Sequence, residues 1–378
     1  MGLYNQLPHF YTYSKFLDET NAKILTELAK YGPRNISKLA KATNLPDTTV
    51  RFRLKKLIEK GLLLVTVNPN LPRLGLAKAF LIADTMLGCS KALMETIRNA
   101  DYWTYIIRCY GKMDGYCAYF AFPAEHKKEL QNYLKEASSA GILPRYKFFW
   151  TTNSYYVTPD FIWYDFKEKR WKLQWCKWVD EILNAPEKLP EALKESENYQ
   201  IVADKADLII IKELEKDAAI KLGKLAKILN ITPQSVGNRY QKHIIERNLI
   251  AEYNVDIYPF PVEVSDLYNF VIDFKDEKAI GKFVNASNGK PFMVSYAKVI
   301  GKNSLITNVY ILKREFPKLI ESLNRLYSEG LIKNFFYVTL EPTAYKRQTI
   351  AYKNFENGKW TYNSEETIKK LKEIGRTH

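Results

Sequence analysis

Cysteine, histidine and long apolar runs are all scarce in this chain of 378 residues, and each scarcity argues against a class of protein. The four cysteines, Cys89, Cys109, Cys117 and Cys176, lie in the first half, with no Cys-x-x-Cys spacing. A disulfide framework shared along the chain would need partners in the second half, so free, mostly buried thiols in a reducing compartment are expected. The four histidines, His9, His126, His243 and His378, stand at no metal-ligand spacing from each other or from a cysteine. No metal and no other cofactor is therefore expected. The glycines are isolated, and neither a Walker loop nor a nucleophile elbow occurs. No apolar run approaches the roughly 20 residues that span a bilayer, and the N-terminus lacks the apolar core of a signal peptide. The expectation is a cytoplasmic protein with no membrane partner and no catalytic site.

Positive charge is abundant instead. The chain carries 57 Lys and Arg against 42 Asp and Glu, a net charge of +15. Residues 33–60 hold a net +6 and residues 220–247 a net +5, so these two windows supply most of the excess. A polyanionic partner, double-stranded DNA, fits that distribution.

The same two windows repeat one pattern. Leu39-Ala40-Lys41, Asn44-Leu45, Val50 and Arg53 return as Leu225-Ala226-Lys227, Asn230-Ile231, Val236 and Arg239, each 186 positions later. Further on, Ile58-Glu59-Lys60-Gly61-Leu62-Leu63 meets Ile245-Glu246-Arg247-Asn248-Leu249-Ile250 at an offset of 187. A fixed offset across a motif points to internal duplication.

Helical periodicity predicts three helices in each window: Leu17–Lys30, a second from Asn35 to Ala42 and a third from Asp47 to Lys60; then Ala206–Lys216, Leu222–Leu229 and Pro233–Asn248. A short strand follows each set, Leu62–Val67 and Ile250–Val255, and reads as a wing. Strand and helix signals then alternate as βαββαβ in both halves, which predicts two four-stranded antiparallel sheets, each with two helices on one face. A hairpin closes each half, with Trp171 and Trp360 at its end. Six segments result: an N-terminal extension (1–16), a winged helix-turn-helix (17–72), a sheet domain with its hairpin and helix (76–184), a linker (185–204), a second winged helix-turn-helix (205–260) and a second sheet domain (265–378).

The second helix of a helix-turn-helix enters the major groove. The turn before it needs a left-handed residue, and Asn44 and Asn230 occupy that position. With Val50, Leu54 and Leu57 turned inward, the first unit offers Thr48, Thr49, Arg51, Arg53, Lys55 and Lys56 to DNA. Arg51 suits a guanine edge and the lysines suit phosphates. The second unit offers Gln234, Ser235, Asn238, Arg239, Gln241 and Lys242, of which the amides favour adenine. Two unlike half-sites are expected, or one unit that reads bases while the other mainly holds backbone.

The residues Leu39-Ala40-Lys41, Asn44-Leu45 and Thr49-Val50-Arg51-Phe52-Arg53-Leu54-Lys55-Lys56-Leu57-Ile58-Glu59-Lys60-Gly61-Leu62 resemble the DNA-binding domain of the Lrp/AsnC family of prokaryotic transcription regulators. Gly111-Lys112-Met113-Asp114 resembles the Gly-x-x-Asp turn of that family's ferredoxin-like βαββαβ (RAM/ACT-like) domain. The resemblance implies an α+β chain with two helix-turn-helix domains, each followed by a ferredoxin-like domain. It also implies a pseudo-dimer within one chain, open to further dimerisation, and an amino-acid effector near Gly111, Asp114 and Gly301. Ser304 replaces the turn aspartate in the second half.

Two other readings stand beside this one. Sirohaem decarboxylases also look like Lrp/AsnC proteins and carry a His-Asn-Tyr-x-Arg type run in the second strand of the sheet domain. Here that strand reads Tyr105-Ile106-Ile107-Arg108-Cys109-Tyr110, with Arg108 present and the histidine missing. An architectural protein that coats DNA without sequence preference is the third reading.

Overall fold

The computed structural model describes residues 16–86, 88–257 and 259–377. All but one residue of the expected N-terminal extension lies outside that range. The chain begins with three helices, α1 (Glu19–Tyr31), α2 (Ile36–Thr43) and α3 (Asp47–Glu59), followed by strand β1 (Val65–Pro69). The first sheet region is β2 (Leu76–Asp84), α4 (Ser90–Asn99), β3 (Trp103–Gly111), β4 (Gly115–Pro123), α5 (Lys127–Ser139), β5 (Tyr146–Thr151) and β6 (Tyr155–Tyr156). A hairpin, β7 (Tyr164–Asp165) with β8 (Arg170–Trp171), and helix α6 (Trp175–Asn184) complete the first half.

The second half follows the same order. Helices α7 (Lys205–Leu214), α8 (Leu222–Leu229) and α9 (Pro233–Arg239) lead into β9 (Ile250–Val255). Then come β10 (Ser265–Phe274), α10 (Glu277–Ser287), β11 (Met293–Lys298), β12 (Ser304–Leu312), α11 (Phe316–Ser328) and β13 (Ile332–Arg347). Hairpin β14 (Phe355–Glu356) with β15 (Lys359–Trp360) and helix α12 (Ser364–Thr377) end it.

The strands of the sheet regions join into one antiparallel sheet of order β5-β2-β4-β3-β13-β10-β12-β11-β6. Its outer strands meet: Thr151 bridges Val299, Thr152 N donates to Lys298 O at 2.9 Å, and Ile300 N donates to Trp150 O at 2.9 Å. The sheet thereby closes on itself, which removes the exposed edges that an open sheet would leave for aggregation. Alternation along each strand separates one inner core from two outer ones. Phe80, Ile82, Ile107, Val271, Ile306 and Val338 fill the inside of the closed sheet. Leu81 and Ala83 face the other way, into the core that holds Leu93, Ile97 and Leu130 of α4 and α5. Phe270 and Ile272 likewise meet Phe283 and Leu323 of α10 and α11.

Three expectations change. First, the predicted wings are not free. β1 and β9 pair antiparallel with each other, Val65 opposite Val255 and Asn68 opposite Glu252. Each strand carries buried residues that a lone ribbon would expose, and pairing satisfies both backbones. Second, the closing segments pack on the opposite half. Trp178 of α6 donates to Ser287 Oγ at 3.0 Å and stacks edge-on with Phe283 and Phe292. Trp360 donates to Leu74 O at 2.6 Å, and Asn99 of α4 donates to Thr367 O in α12 at 2.8 Å. The stripe of tryptophans on α6 is thus buried, but against the other half's sheet region. Third, the expected linker is packed. Leu189 and Leu193 are buried, and Asn285 donates to Pro186 O and Lys188 O.

The cysteines are free, with Cys109 and Cys117 buried inside the sheet, Cys89 half-buried and Cys176 exposed, so only two match the expectation of burial. Among the described residues no helix is long and apolar enough to cross a membrane.

Candidate nucleic-acid interface

Both predicted turns adopt the left-handed backbone. Asn44 has φ 55° and ψ 42°, and Asn230 has φ 55° and ψ 43°. Outside glycine, asparagine tolerates this region best, because its short side chain bonds locally. The turn delivers α3 and α9 to the same place in each three-helix cluster. Their starts differ. Thr232 caps α9 by accepting from Ser235 N at 3.1 Å. At α3 the N-cap is Pro46, which has no side-chain bond to give, and Ser37 Oγ instead reaches Asp47 Oδ2 at 3.1 Å.

The inner faces anchor both helices alike. Val50, Leu54 and Leu57 are buried in the first cluster, and Val236 and Ile244 in the second. Arg53 turns back to the N-cap of α1, where it pairs with Asp18 and reaches Asn21 Oδ1 at 3.3 Å. Arg239 does the same at the start of α7, pairing with Asp204 at 2.7 Å and Asp207 at 2.6 Å. Burial works against charge at Asp18 and Asp204, yet backbone N–H donors and the arginines hold both below the usual carboxylate range. Arg53 and Arg239, expected on the DNA face, are here bonded to the carboxylates at the starts of α1 and α7. A guanidinium bound to a capping carboxylate is not free for a phosphate. The aspartates lie just outside the two basic windows, so the windows overstate the free positive charge.

The outer faces differ. Thr48, Arg51, Phe52, Lys55 and Lys56 are exposed on α3, with Thr49 half-buried. Phe52 is 63% exposed, and the Lys56 ammonium lies 5.9 Å from its ring centre. Lys55 makes only a long 3.7 Å pair with Glu59. On and beyond α9, Gln234, Ser235, Asn238, Gln241 and Lys242 are exposed. The Ser235 hydroxyl is within 2.9 Å of Thr232 Oγ1, which ties it to the cap.

The change of offset from 186 to 187 has a structural counterpart. It falls between Arg239 and Ile245, where Tyr240–Ile245 widens to a π-helical turn and Glu246 N donates to Gln241 O at 3.0 Å. A π turn is how a helix absorbs one extra residue while keeping its flanks in register.

Asp204, Asp207 and His243 place ligand-type atoms within 4.8 Å of one another. The Arg239 guanidinium already sits among them, so the cluster has its cation. The residues expected near an effector lie in surface turns. Gly111 and Gly301 have positive φ and open space where a Cβ would stand. Asp114 is paired with Arg108, and its N–H donates to Asp84 Oδ1 at 2.7 Å. In the second half Ser304 Oγ donates to Asp273 Oδ1 at 2.6 Å, a similar clamp. Arg108 stacks on Tyr110 and Tyr116 and donates to Gly115 O, so its guanidinium is engaged at the end of the sheet.

Residues 17–63 match the family model described as winged helix-turn-helix DNA-binding. An HTH-type transcriptional regulator of Pyrococcus furiosus is 39% identical over 64 residues, 17% of this chain and 43% of that protein. One from Pyrococcus horikoshii is 36% identical over 63 residues, 16% of this chain and 42% of that protein. The chain thus matches less than half the length of these relatives. The crystal structure of the siroheme decarboxylase NirDL superposes with a TM-score of 0.56 at 12% identity, covering 95% of this chain and 99% of that one. That likeness is one of fold. The first unit is a winged helix-turn-helix of the DNA-binding kind, joined to a mixed α/β region.

Proposed function

We propose that the chain is a DNA-binding transcription regulator built from two copies of one helix-turn-helix and sheet unit, so that a single molecule grips two half-sites. One observation carries the reading. Both recognition helices are anchored by the same inner contacts, Arg53 with Asp18 and Arg239 with Asp204, while their outer faces stay exposed. The paired strands β1 and β9 support it further, since they tie the two clusters together. On this reading α3 supplies Arg51, Phe52, Lys55 and Lys56, and the second unit supplies Gln234, Asn238, Gln241 and Lys242.

The test is DNA affinity measured against salt. Each neutralised phosphate contributes about −0.9 to the slope of log K on log salt. Replacing Arg51, Lys55 and Lys56 together by alanine should lower the slope by about 2 to 3. Replacing Gln234 and Asn238 should leave the slope unchanged and relax base preference, at about 1–3 kcal/mol for each lost bidentate pair. An unaltered slope in the first variant removes α3 from the interface. Equal affinity for random and selected duplexes would favour the architectural reading.

The whole-length fold likeness keeps an enzymatic reading in view, a tetrapyrrole decarboxylase on this scaffold. The sequence lacks the histidine of the second strand, and Arg108 is engaged elsewhere. A change in sirohaem absorbance with CO2 release on adding the protein would establish that reading and displace the first.

A further inference from the structure

Of the phenylalanines among the described residues, only Phe52 is exposed, with 63% of its surface open to solvent. It stands near the middle of α3, one turn beyond Thr48, with Arg51 beside it and Lys55 and Lys56 in the next turn. Residues three and four apart share a helix face, so Thr48, Phe52, Lys55 and Lys56 form one outward row. The opposite face is fixed, since Val50, Leu54 and Leu57 are buried. The helix itself therefore holds the ring in the open, with no loop free to fold it away.

Its neighbours are cations and not other apolar groups. Arg51, Lys55 and Lys56 are all exposed, and the Lys56 ammonium lies 5.9 Å from the Phe52 ring centre and 5.3 Å from that of Phe16. Ile58, the other large apolar residue exposed on α3, is further along and about 120° away around the axis. A protein-binding surface gathers apolar side chains into a patch with charge at its rim. One ring set among cations is not such a patch. The major groove of B-DNA offers the matching surface: phosphates along its walls and, on its floor, one kind of apolar group, the C5-methyl of thymine.

The second unit has different chemistry at the same place. Counted forward by 186 residues, Phe52 corresponds to Asn238, Arg51 to Gly237 and Lys55 to Gln241. Asn238 is exposed as well. An apolar side chain distinguishes an A·T pair from the thymine side, by the methyl, and an asparagine does so from the adenine side, by N6 and N7. The two residues are unlike, yet each selects the same base pair.

We propose that Phe52 is a specificity-determining residue, which reads a thymine methyl in the major groove while Asn238 reads an adenine at the equivalent place in the other half-site. The proposal rests on the DNA-binding reading above and adds to it the bases read and the atoms by which they are read.

The experiment uses the full chain and a duplex that it selects from a random pool. Thymines are replaced one at a time by deoxyuridine, which deletes only the methyl, and adenines by 7-deazaadenine, which deletes the N7 acceptor. The expected result is that deoxyuridine weakens binding at one place in the half-site held by α3, by about fourfold, the value of one buried methyl-sized group. In the other half-site the equivalent place should respond to 7-deazaadenine instead. Phe52→Ala should abolish the deoxyuridine effect and keep the 7-deazaadenine effect, Phe52→Leu should keep both, and Asn238→Ala should abolish only the second. A deoxyuridine effect that survives Phe52→Ala would assign the methyl to another residue and overturn the proposal, as would a duplex in which no thymine responds. The modified bases are read on the unaltered protein first, so a variant that fails to fold does not hide the outcome. Failure to bind any duplex would remove the DNA-binding reading and this one together. Binding that selects no sequence, or selects one without a methyl effect, would remove this one alone.

Discussion

The two three-helix clusters share an inner side and differ on the outer one. Inward, a left-handed asparagine, a buried valine and an arginine bonded to the first helix's cap recur at matching positions: Asn44, Val50 and Arg53, then Asn230, Val236 and Arg239. Outward, α3 shows cations and a phenylalanine, whereas the second unit shows amides and a π turn. Residues that set the angle of a helix in its domain are constrained by packing, and those that face solvent are not. Under the proposed function, this outer difference is where two unlike DNA half-sites are read.

The most severe way to break the comparison is to separate the halves. Each closing segment buries its tryptophan on the other half, β1 needs β9, and β3 needs β13. Expressed alone, residues 1–184 and 185–378 should each fail to give a cooperative unfolding transition, and mixing them should restore one. A cooperative transition in either piece alone would show that the exchange is not required.

The anchoring arginines give the next largest effect, and an unequal one. Asp207 is fully buried beside Arg239, whereas the equivalent residue beside Arg53 is the neutral Asn21, and Asp18 is half exposed. Arg239→Ala leaves a buried carboxylate without its main partner, which should cost about 3–5 kcal/mol. Arg53→Ala loses a pair that solvent largely replaces, worth about 1 kcal/mol or less. Urea unfolding of the two variants measures both, and equal losses would mean that the buried aspartate is not the source of the difference.

A third contrast is between Glu215 and Ala29. Burial raises Glu215 from 4.5 to about 8. The folded state then binds the proton more tightly than the unfolded state, so stability is fully present below the unfolded value and is lost as pH rises toward 8. Thermal midpoints of the unliganded chain should fall between pH 5 and pH 8. Glu215→Gln should flatten that fall, and an unchanged slope would place the effect on other groups.

These contrasts also mark what was legible in the sequence. The helices, the succession of strands along the chain and both left-handed turns followed from periodicity and from asparagine chemistry, which are local, whereas the two expected four-stranded sheets are joined into one of nine strands. The partners of Arg53 and Arg239 were not legible, because Asp18 and Asp204 lie 35 residues away and a cationic helix face looks the same whether it is solvated or bonded. The pairing of β1 with β9 joins residues almost 190 apart, beyond any local pattern. One signal was present and unused: the step in offset from 186 to 187 marks the π turn to within six residues. The buried acids Glu215, Glu252 and Asp256 left only a negative trace, standing where the first half has Ala29, Val65 and Pro69.

The smallest predicted effect concerns the two helix starts. Thr232 gives the N–H of Ser235 an acceptor, so Thr232→Ala should cost about 1 kcal/mol, the ordinary value of an N-cap. At α3 the cap position is Pro46, with φ −60° and ψ 143°. Pro46→Thr would add a comparable hydrogen bond but release the proline's restriction of the unfolded chain, worth about 0.4–1 kcal/mol. The two terms nearly cancel, so Pro46→Thr should leave stability unchanged within roughly half a kcal/mol. Chemical denaturation of both variants checks the asymmetry. A clear gain at Pro46 would mean that the bond between Ser37 and Asp47 does little to hold the start of α3, and that the first unit's recognition helix is the looser of the two.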